Sequence, residues 1–298
     1  MERLHRIVTG ITVANNFSKD PTAMHKDKWI DLHMHSTFSD GIHPPAHLVE
    51  IAVRKGLVAI ALADHDSLDG FRPLETAATA AGVEVITGVE LSSEHNGRDL
   101  HILGYGVDPD DEPLLGMLKQ FRDTRERRGV MIVEKLKEQG IVLDMDAILA
   151  KAGDGALGRP HIAEALVEGG HATDFPDAFA RYIGEDCPAY VEKYKITPAG
   201  AVEHIHGAGG LAFVAHPGYY LENMAAFEEL LNQGFDGIEV LHPHHRNGVA
   251  ERLQDIADAR GMLISGGSDF HGFAGRDNMG MPKVPYRLLE KIKERLAA

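Results

Sequence analysis

The sequence predicts an α/β fold, a barrel of parallel strands and covering helices interrupted by one helical excursion. Three observations predict it. Short apolar runs alternate with helical patterns up to residue 107 and again from residue 200. The stretch between them is helical in pattern, with no clear strand. Nearly every apolar run also stops or starts at a histidine or a carboxylate, and strand ends are where a β/α barrel builds its active site.

Taken in order, Ile30, Leu32 and Met34 alternate with Asp31, His33 and His35, the period of a strand. Pro44 and Pro45 open a helix that Gly56 closes. Leu57 to Ala63 is unbroken and apolar, as for a parallel strand covered on both faces. Phe71 to Ala81 predicts a helix stopped by Gly82, and Val83 to Val89 and His101 to Val107 predict two more strands. Asp108-Pro109-Asp110-Asp111 is a turn cluster, after which Leu114 to Gln139 predicts a long amphipathic helix and shorter helical pieces run to about Asp186. The β/α rhythm then resumes. Helices are expected over Ala199 to Ala208, Phe227 to Gln233, Val249 to Arg260 and Tyr286 to Leu296. Strands are expected over Leu211 to Ala215, Gly237 to Leu241 and Met262 to Ser265. The expected division is a leader over 1–27, a barrel from 28–107 and 200–298, and a helical insertion over 108–199 covering the active site.

Composition narrows the function. The chain has 298 residues, 44% of them hydrophobic, enough for a sizeable core. A net charge of -15 disfavours long-range attraction to nucleic acid or anionic membranes, so a phosphate ligand must be captured locally. No run approaches the roughly 20 apolar residues of a membrane span. The single Cys187 excludes an intramolecular disulfide and zinc–thiolate chemistry, which fits a cytoplasmic setting. Arg3 and Arg6 before Ile7 to Ala14 imitate a signal peptide, but no small-residue cleavage motif follows, and a flexible leader is the expectation.

Eighteen histidines beside so few cysteines direct attention to the strand ends. His33 and His35 are two apart on a strand and so share a face. Asp31 has the same parity one layer deeper and suits a carboxylate that orients a ligating imidazole. Ser39-Asp40-Gly41 supplies a carboxylate in the next loop. Asp64-His65-Asp66 emerges from an apolar strand, with His65 as ligand and Asp66 as a cap or supporting group. Glu90 can bridge two cations. His101 opens a strand, His216 ends one, and Asp269-x-His271 follows Gly266-Gly267-Ser268, where small residues permit close backbone approach. Alone, any one of these is as readily a core histidine or a solvated loop charge. Together they describe a polynuclear metal site.

This series resembles the motifs of the PHP (polymerase and histidinol phosphatase) phosphoesterases, in order and loop position, across most of 28–107 and 200–298. The nearest branch holds 3′,5′-nucleotide bisphosphate phosphatases and a related 5′-to-3′ exoribonuclease, and Gly158-Arg159-Pro160-His161 resembles that branch too. The resemblance implies a distorted (β/α)7 TIM-like barrel holding two or three divalent ions, Mn first, with Zn or Fe as alternatives. It implies a first ion on His33, His35, Glu90 and Asp269, and a second on Asp40, His65 and His271. A third falls to His101 and His216, with Glu90 as bridge. Many relatives carry a histidine where Asp40 stands, a departure that bears on the second ion. Cations about 3.5–4 Å apart would share and deprotonate a water and aim it at phosphorus. No Ser, Cys or His nucleophile is then needed.

On the substrate side, Arg159 and His161 begin a helix of the insertion and suit phosphate capture. Lys193 and Lys195 are placed where the insertion returns to the barrel. His245 resembles a phosphate-side histidine of the branch, while its neighbours His242 and His244 are read as surface residues. Arg122, Arg125 and Arg128 share a helical face and are read as a solvated stripe beside Asp123 and Glu126. The leading expectation is a metal-dependent phosphomonoesterase acting on a small nucleotide such as a 3′,5′-bisphosphate. One alternative is a 5′-to-3′ exoribonuclease on short 5′-phosphorylated RNA, and another, from a different class, is a non-catalytic metal-binding module. A deaminase or amidohydrolase ranks below these. No membrane or protein partner is inferred.

Overall fold

The computed structural model describes residues 28–152, 157–192, 194–273 and 277–298. The predicted leader 1–27 and Lys193 lie outside the described residues. The chain begins β1 (Trp29–Met34), α1 (Pro45–Lys55), β2 (Leu57–Leu62), α2 (Phe71–Ala81), β3 (Glu84–Val85), β4 (Gly88–His95) and β5 (Arg98–Tyr105). Helices α3 (Glu112–Glu138), α4 (Met145–Ala152), α5 (Arg159–Glu168) and α6 (Phe175–Ala178) follow, with a π-helical turn over Phe179–Ile183. The remainder is α7 (Pro198–Gly207), β6 (Leu211–Val214), α8 (Met224–Leu231), β7 (Gly237–Leu241), α9 (Val249–Arg260), β8 (Leu263–Gly266), β9 (Val284–Pro285) and α10 (Arg287–Leu296).

The strands form two sheets, of order β3-β2-β1-β9 and β4-β5-β6-β7-β8. This corrects the expectation that the strands are all parallel. The fold is mixed α/β, and the sheets meet through single bridges, Met34 to Phe270 and His65 to Glu90. At the first seam the His35 N–H donates to the Phe270 carbonyl at 2.9 Å; at the second the Asp66 N–H donates to the Glu90 carbonyl at 2.9 Å. Both seams lie just beyond the ends of β1 and β2, so the histidines and carboxylates there are drawn together.

The parallel order fails at β4 and β5, which pair antiparallel from Gly88 opposite Tyr105 to His95 opposite Arg98. The cause is local. Asn96 (φ 53°) and Gly97 (φ 75°) both adopt positive φ, the requirement of a two-residue hairpin turn that an Asn-Gly pair meets readily. β5 then pairs antiparallel with β6, and only β6-β7 and β7-β8 are parallel in this sheet. Glu90 therefore lies within an eight-residue strand rather than at its end, and His101 is the fourth residue of β5 rather than the first.

Burial follows the apolar patterns. β2 is apolar throughout and almost wholly buried; its Ile60 and Leu62 pack against Leu48 and Ala52 of α1 and Leu74 and Ala78 of α2. Between the sheets, Leu103, Tyr105 and Phe213 meet Leu288, Leu289 and Ile292 of the strongly amphipathic α10. Each such side chain contributes about 1.5–3 kcal/mol on burial. Helix α3 is 27 residues, roughly 40 Å long. Its first half buries Leu114, Met117, Leu118 and Phe121 against β4, β5 and α7. Its second half buries Ile132 and Leu136 in a separate cluster with Ile162 and Leu166 of α5. Among the described residues no helix is long and apolar enough to cross a membrane.

Gly97 is the tightest local constraint on the β4-β5 register. Gly97→Ala is expected to cost about 1–2 kcal/mol, because a Cβ is disfavoured at its left-handed φ. Urea unfolding of the full chain should show a lowered midpoint with unchanged slope.

Candidate metal centre

Every one of the nine predicted ligand positions comes to the junction of the two sheets. His33 and His35 leave one face of β1 and are fully buried. Glu90, also buried, stands between them and the other strand ends. Its Oε2 lies 3.3 Å from His33 Nε2, 3.3 Å from His35 Nε2 and 3.1 Å from His65 Nδ1. Its Oε1 lies 3.1 Å from His101 Nδ1 and 3.0 Å from His216 Nε2. Asp269 Oδ1 is 3.1 Å from His35 Nε2 and 3.6 Å from His33 Nε2. On the outer side, Asp40 Oδ1 lies 3.2 Å from His271 Nε2, and its Oδ2 lies 3.7 Å from His65 Nε2.

These atoms form four sets that could hold a cation, the donor atoms of each lying within 4.8 Å of one another. They are His35, Asp40, His65 and His271; His33, His35 and Asp269; His33, Glu90 and His216; and His65, Glu90 and His101. The grouping differs in detail from the expected one. His35 joins the Asp40 set, and His101 and His216 fall into separate sets that share Glu90.

The donors suit a divalent ion on two counts. Buried atoms without hydrogen-bond partners among the described residues converge here: His33 Nε2, both ring nitrogens of His35, His65 Nδ1 and Glu90 Oε2. Such orphans are costly unless something else satisfies them. Their separations of 3.1–3.3 Å are also near the edge length of a coordination shell with bonds of about 2.0–2.2 Å.

Without an ion the charge states are mixed: against the downward pull of burial, the facing carboxylates raise His33, His216 and His271, the last to about 9. Burial raises the Glu90 carboxyl, but the imidazoles of His65, His33 and His101 overcome it and hold the group well below the usual carboxylate range. Asp40 is likewise raised by burial and lowered further by His65, His271 and His35. Burial pushes His65 down to about 3, which keeps the ring neutral, the form that donates a lone pair to a metal.

The backbone is shaped to this end. Asp66 (φ 51°), His216 (φ 28°) and Asp269 (φ 50°) occupy left-handed conformations without being glycine. Each such residue costs about 1–3 kcal/mol and persists only where its surroundings impose it. Gly267 permits a close approach: a Cβ there would sit 2.3 Å from His33 Cβ and 2.4 Å from the His33 nitrogen.

Supporting groups differ from expectation. Asp31 is buried but touches no imidazole. It accepts from the Ser268 N–H (2.9 Å) and hydroxyl (2.6 Å) and from the Gly280 N–H (2.7 Å), tying β1 to the loop that carries Asp269. Asp66 accepts from the Ser92 N–H and hydroxyl, both at 2.7 Å, and from Arg125. The carboxylate that does orient an imidazole is Glu239, which the sequence did not single out. It accepts from His33 Nδ1 at 2.9 Å, inside an otherwise apolar strand. Asp64 was also passed over, yet it is buried and accepts from the Ser36 N–H (2.7 Å) and hydroxyl (2.6 Å) and the Ser39 hydroxyl (2.5 Å).

Substrate-side expectations are corrected in part. His245 is buried with both ring nitrogens committed to backbone. Nδ1 donates to the Val240 carbonyl at 2.8 Å and Nε2 accepts from the Gly218 N–H at 3.1 Å, which leaves nothing for a phosphate. His242, read as a surface residue, is buried with Nε2 3.6 Å from Asp269 Oδ2. Lys195 is taken by Glu94 (2.9 Å) and Asp99 (2.6 Å). Arg159 makes no ion pair among the described residues; its guanidinium lies over the rings of Phe179 and Tyr190. His161 Nδ1 accepts from the Gly158 N–H at 3.1 Å, which puts the ring proton on Nε2, and burial lowers the ring's pKa against the charges of Glu164 and Asp40. The arginine row of α3 is not one solvated stripe. Arg122 pairs with Asp69 at the surface, whereas Arg125 and Arg128 turn inward.

A mixed α/β scaffold with His, Asp and Glu donors clustered at its strand ends defines a metal-dependent hydrolase, and the comparisons sharpen this. The sequence matches the PHP domain over residues 31–260. It is 36% identical over 257 residues to a 5′-3′ exoribonuclease of Haemophilus influenzae, covering 85% of this chain and 93% of that one. It is 34% identical to a 3′,5′-nucleoside bisphosphate phosphatase of Chromobacterium violaceum, covering 83% and 90%. Among solved structures, a candidate metal-dependent phosphoesterase from Bifidobacterium adolescentis superposes with a TM-score of 0.81 at 31% identity, covering 90% of this chain and 96% of that one. The chain belongs to the PHP family, and it is a metal-dependent phosphoester hydrolase.

Gly267→Ala tests the packing behind the centre. It should lower stability by about 1–3 kcal/mol, the usual cost of overpacking, and reduce bound divalent ion per chain. The control Gly207→Ala, where nothing lies within 4 Å of the added carbon, should leave both unchanged in thermal unfolding and metal analysis.

Proposed function

We propose that the protein removes a phosphate from a small nucleotide carrying two phosphates, of the 3′,5′-bisphosphate type, at a centre of two or three divalent ions. The observation that carries the metal half is the Glu90 carboxylate with five imidazoles within 3.3 Å of it. On this reading His33, His35 and Asp269 hold one ion with Glu90, and Asp40, His65 and His271 hold another. His101 and His216 serve a third. The oxygen and imidazole donors suit Mn first, with Zn or Fe as alternatives. Such ions supply Lewis acidity at the phosphoryl oxygens and lower the pKa of a water beside phosphorus.

The second phosphate is assigned to the arginines of the helical stretch. Arg128 is buried, its Nε donates to the Val191 carbonyl at 2.6 Å, and its Nη2 has no hydrogen-bond partner among the described residues. Burial and the nearby Arg159 charge push it down to about 10. Two guanidinium groups that share the Tyr190 ring and make no ion pair among the described residues form a site that an anion would relieve. His161 adds a ring N–H donor at the start of α5. We read residues 108–199 as an insertion that brings these groups over the metal centre, and the two sheets as halves of a distorted seven-stranded barrel. The single cysteine suits a cytoplasmic enzyme.

A second reading, hydrolysis from the 5′ end of short RNA, is supported by the name of the Haemophilus influenzae relative. Both readings use the same centre. They separate on comparison of phosphate release from a nucleotide bisphosphate with mononucleotide release from a labelled oligoribonucleotide. The phosphatase reading requires the first to be faster at equal concentration, and the reverse order refutes it.

His35→Ala and Asp269→Ala should each lower hydrolysis at least 1,000-fold, or about 4 kcal/mol of activation free energy, with circular dichroism unchanged. Full activity after chelation would contradict the metal assignment. Arg128→Met should raise KM for a bisphosphate at least tenfold and leave KM for an aryl phosphate nearly unchanged. Equal effects on both substrates would remove Arg128 from the second-phosphate site.

A further inference from the structure

β7 contributes none of the nine candidate ligands, yet it carries a fully buried carboxylate that faces them. Glu239 stands between Ile238 and Val240 in a strand that is otherwise glycine and aliphatic. Its ion-pair partner is the His33 imidazole, and no lysine or arginine lies within ion-pair distance of it among the described residues. A buried carboxylate with so little countercharge needs a reason to be there.

Both of its oxygens are used. Oε1 accepts from His33 Nδ1 at 2.9 Å, and Oε2 accepts from the backbone N–H of His216 at 2.8 Å. These partners are not arbitrary. His33 and His216, with Glu90, form one of the four donor sets. A carboxylate can only accept, so when the His33 ring gives up its second proton the one that remains is on Nδ1, and the lone pair is on Nε2, turned toward Glu90 and Asp269. His216 sits at φ 28°, outside the ordinary basins, and the bond to its N–H holds that turn of the chain.

We propose that Glu239 is a positioning residue that selects the metal-binding tautomer of His33, fixes the backbone of His216, and thereby sets the affinity of the two ions that these residues hold on either side of Glu90. The proposal rests on the metal-centre reading above. An amide cannot replace this carboxylate. In Glu239→Gln, if the amide oxygen takes the His216 N–H, the amide NH₂ faces His33 Nδ1. That favours the tautomer protonated on Nε2, which cannot ligate. If the amide oxygen takes His33 instead, the His216 N–H is left facing a donor.

The test is Mn²⁺ binding to metal-free full-length protein, followed by calorimetric titration and by metal analysis after equilibrium dialysis. Glu239→Gln should weaken the ions held by His33 and by His216 about 10- to 100-fold, the scale for loss of an outer partner, and leave the ion held by Asp40, His65 and His271 within about threefold. Affinities all within twofold of wild type would overturn the proposal. So would a uniform weakening of every ion with a lowered unfolding temperature of the metal-free protein, which would mark a packing role. If Glu239→Gln does not fold, Glu239→Asp carries the test. Its withdrawn carboxylate can reach one partner only, so the same selective loss is expected, and wild-type affinity overturns the proposal. A wild-type protein that binds no ion overturns the metal-centre reading itself, and is thereby distinguished from a variant that matches an ion-binding wild type.

Discussion

Glu90 is one carboxylate placed where the ends of two separate sheets converge, and the architecture follows from satisfying it. Taken alone, a fully buried carboxylate would be among the most expensive groups in the protein. Here its two oxygens face two different sets of imidazoles, Oε2 toward His33, His35 and His65, Oε1 toward His101 and His216. Those histidines come from β1, β2, β5 and β6 or the residues just beyond them, so no local segment could assemble the arrangement. The sheets must meet at this point, and the bridge between His65 and Glu90 is one of the two seams that join them.

Outside this inner ring stands a second ring of buried carboxylates whose partners are mostly backbone and hydroxyl groups. Asp31 ties β1 to the Ser268 loop, Asp64 holds the loop of Ser36 and Ser39, and Asp66 clasps Ser92 on β4. Each bond fixes a loop whose neighbouring residue belongs to the inner ring: Asp269 beside Ser268, Asp40 beside Ser39, His65 beside both Asp64 and Asp66. Burial raises the carboxyls of Asp31 and Asp64 above their ordinary range, against hydrogen bonds that pull the other way. The outer ring thus trades solvation for geometry, and strained residues such as His216 and Asp269 sit where that geometry is imposed.

Much of this was legible because strands and helices write their periods into the sequence. α2, α9 and β7 have the bounds their patterns predict, and the parity of Asp31, His33 and His35 put three groups on one face. The hairpin was not read, although Asn96-Gly97 marks it. Ser92, Ser93, Glu94 and His95 lack the apolar alternation of a strand, and the serine hydroxyls are satisfied by distant partners, Asp66 and Ile196. Glu239 escaped because attention to strand ends passes over a carboxylate in mid-strand. The arginines of α3 share a face by spacing, but spacing does not say which part of a 27-residue helix is covered, and only packing turned Arg125 and Arg128 inward. His245 shows the converse. Its resemblance to a phosphate-side histidine of the branch suggested a ligand contact, and backbone bonds consume both ring nitrogens.

The central claim is that Glu90 is shared between ions. Anomalous diffraction from crystals grown with Mn²⁺ tests it most directly. The account predicts peaks about 2.0–2.3 Å from both Glu90 oxygens, one on the His33 and His35 side and one on the His101 and His216 side. A Mn²⁺-loaded crystal whose peaks all lie away from Glu90 would contradict it.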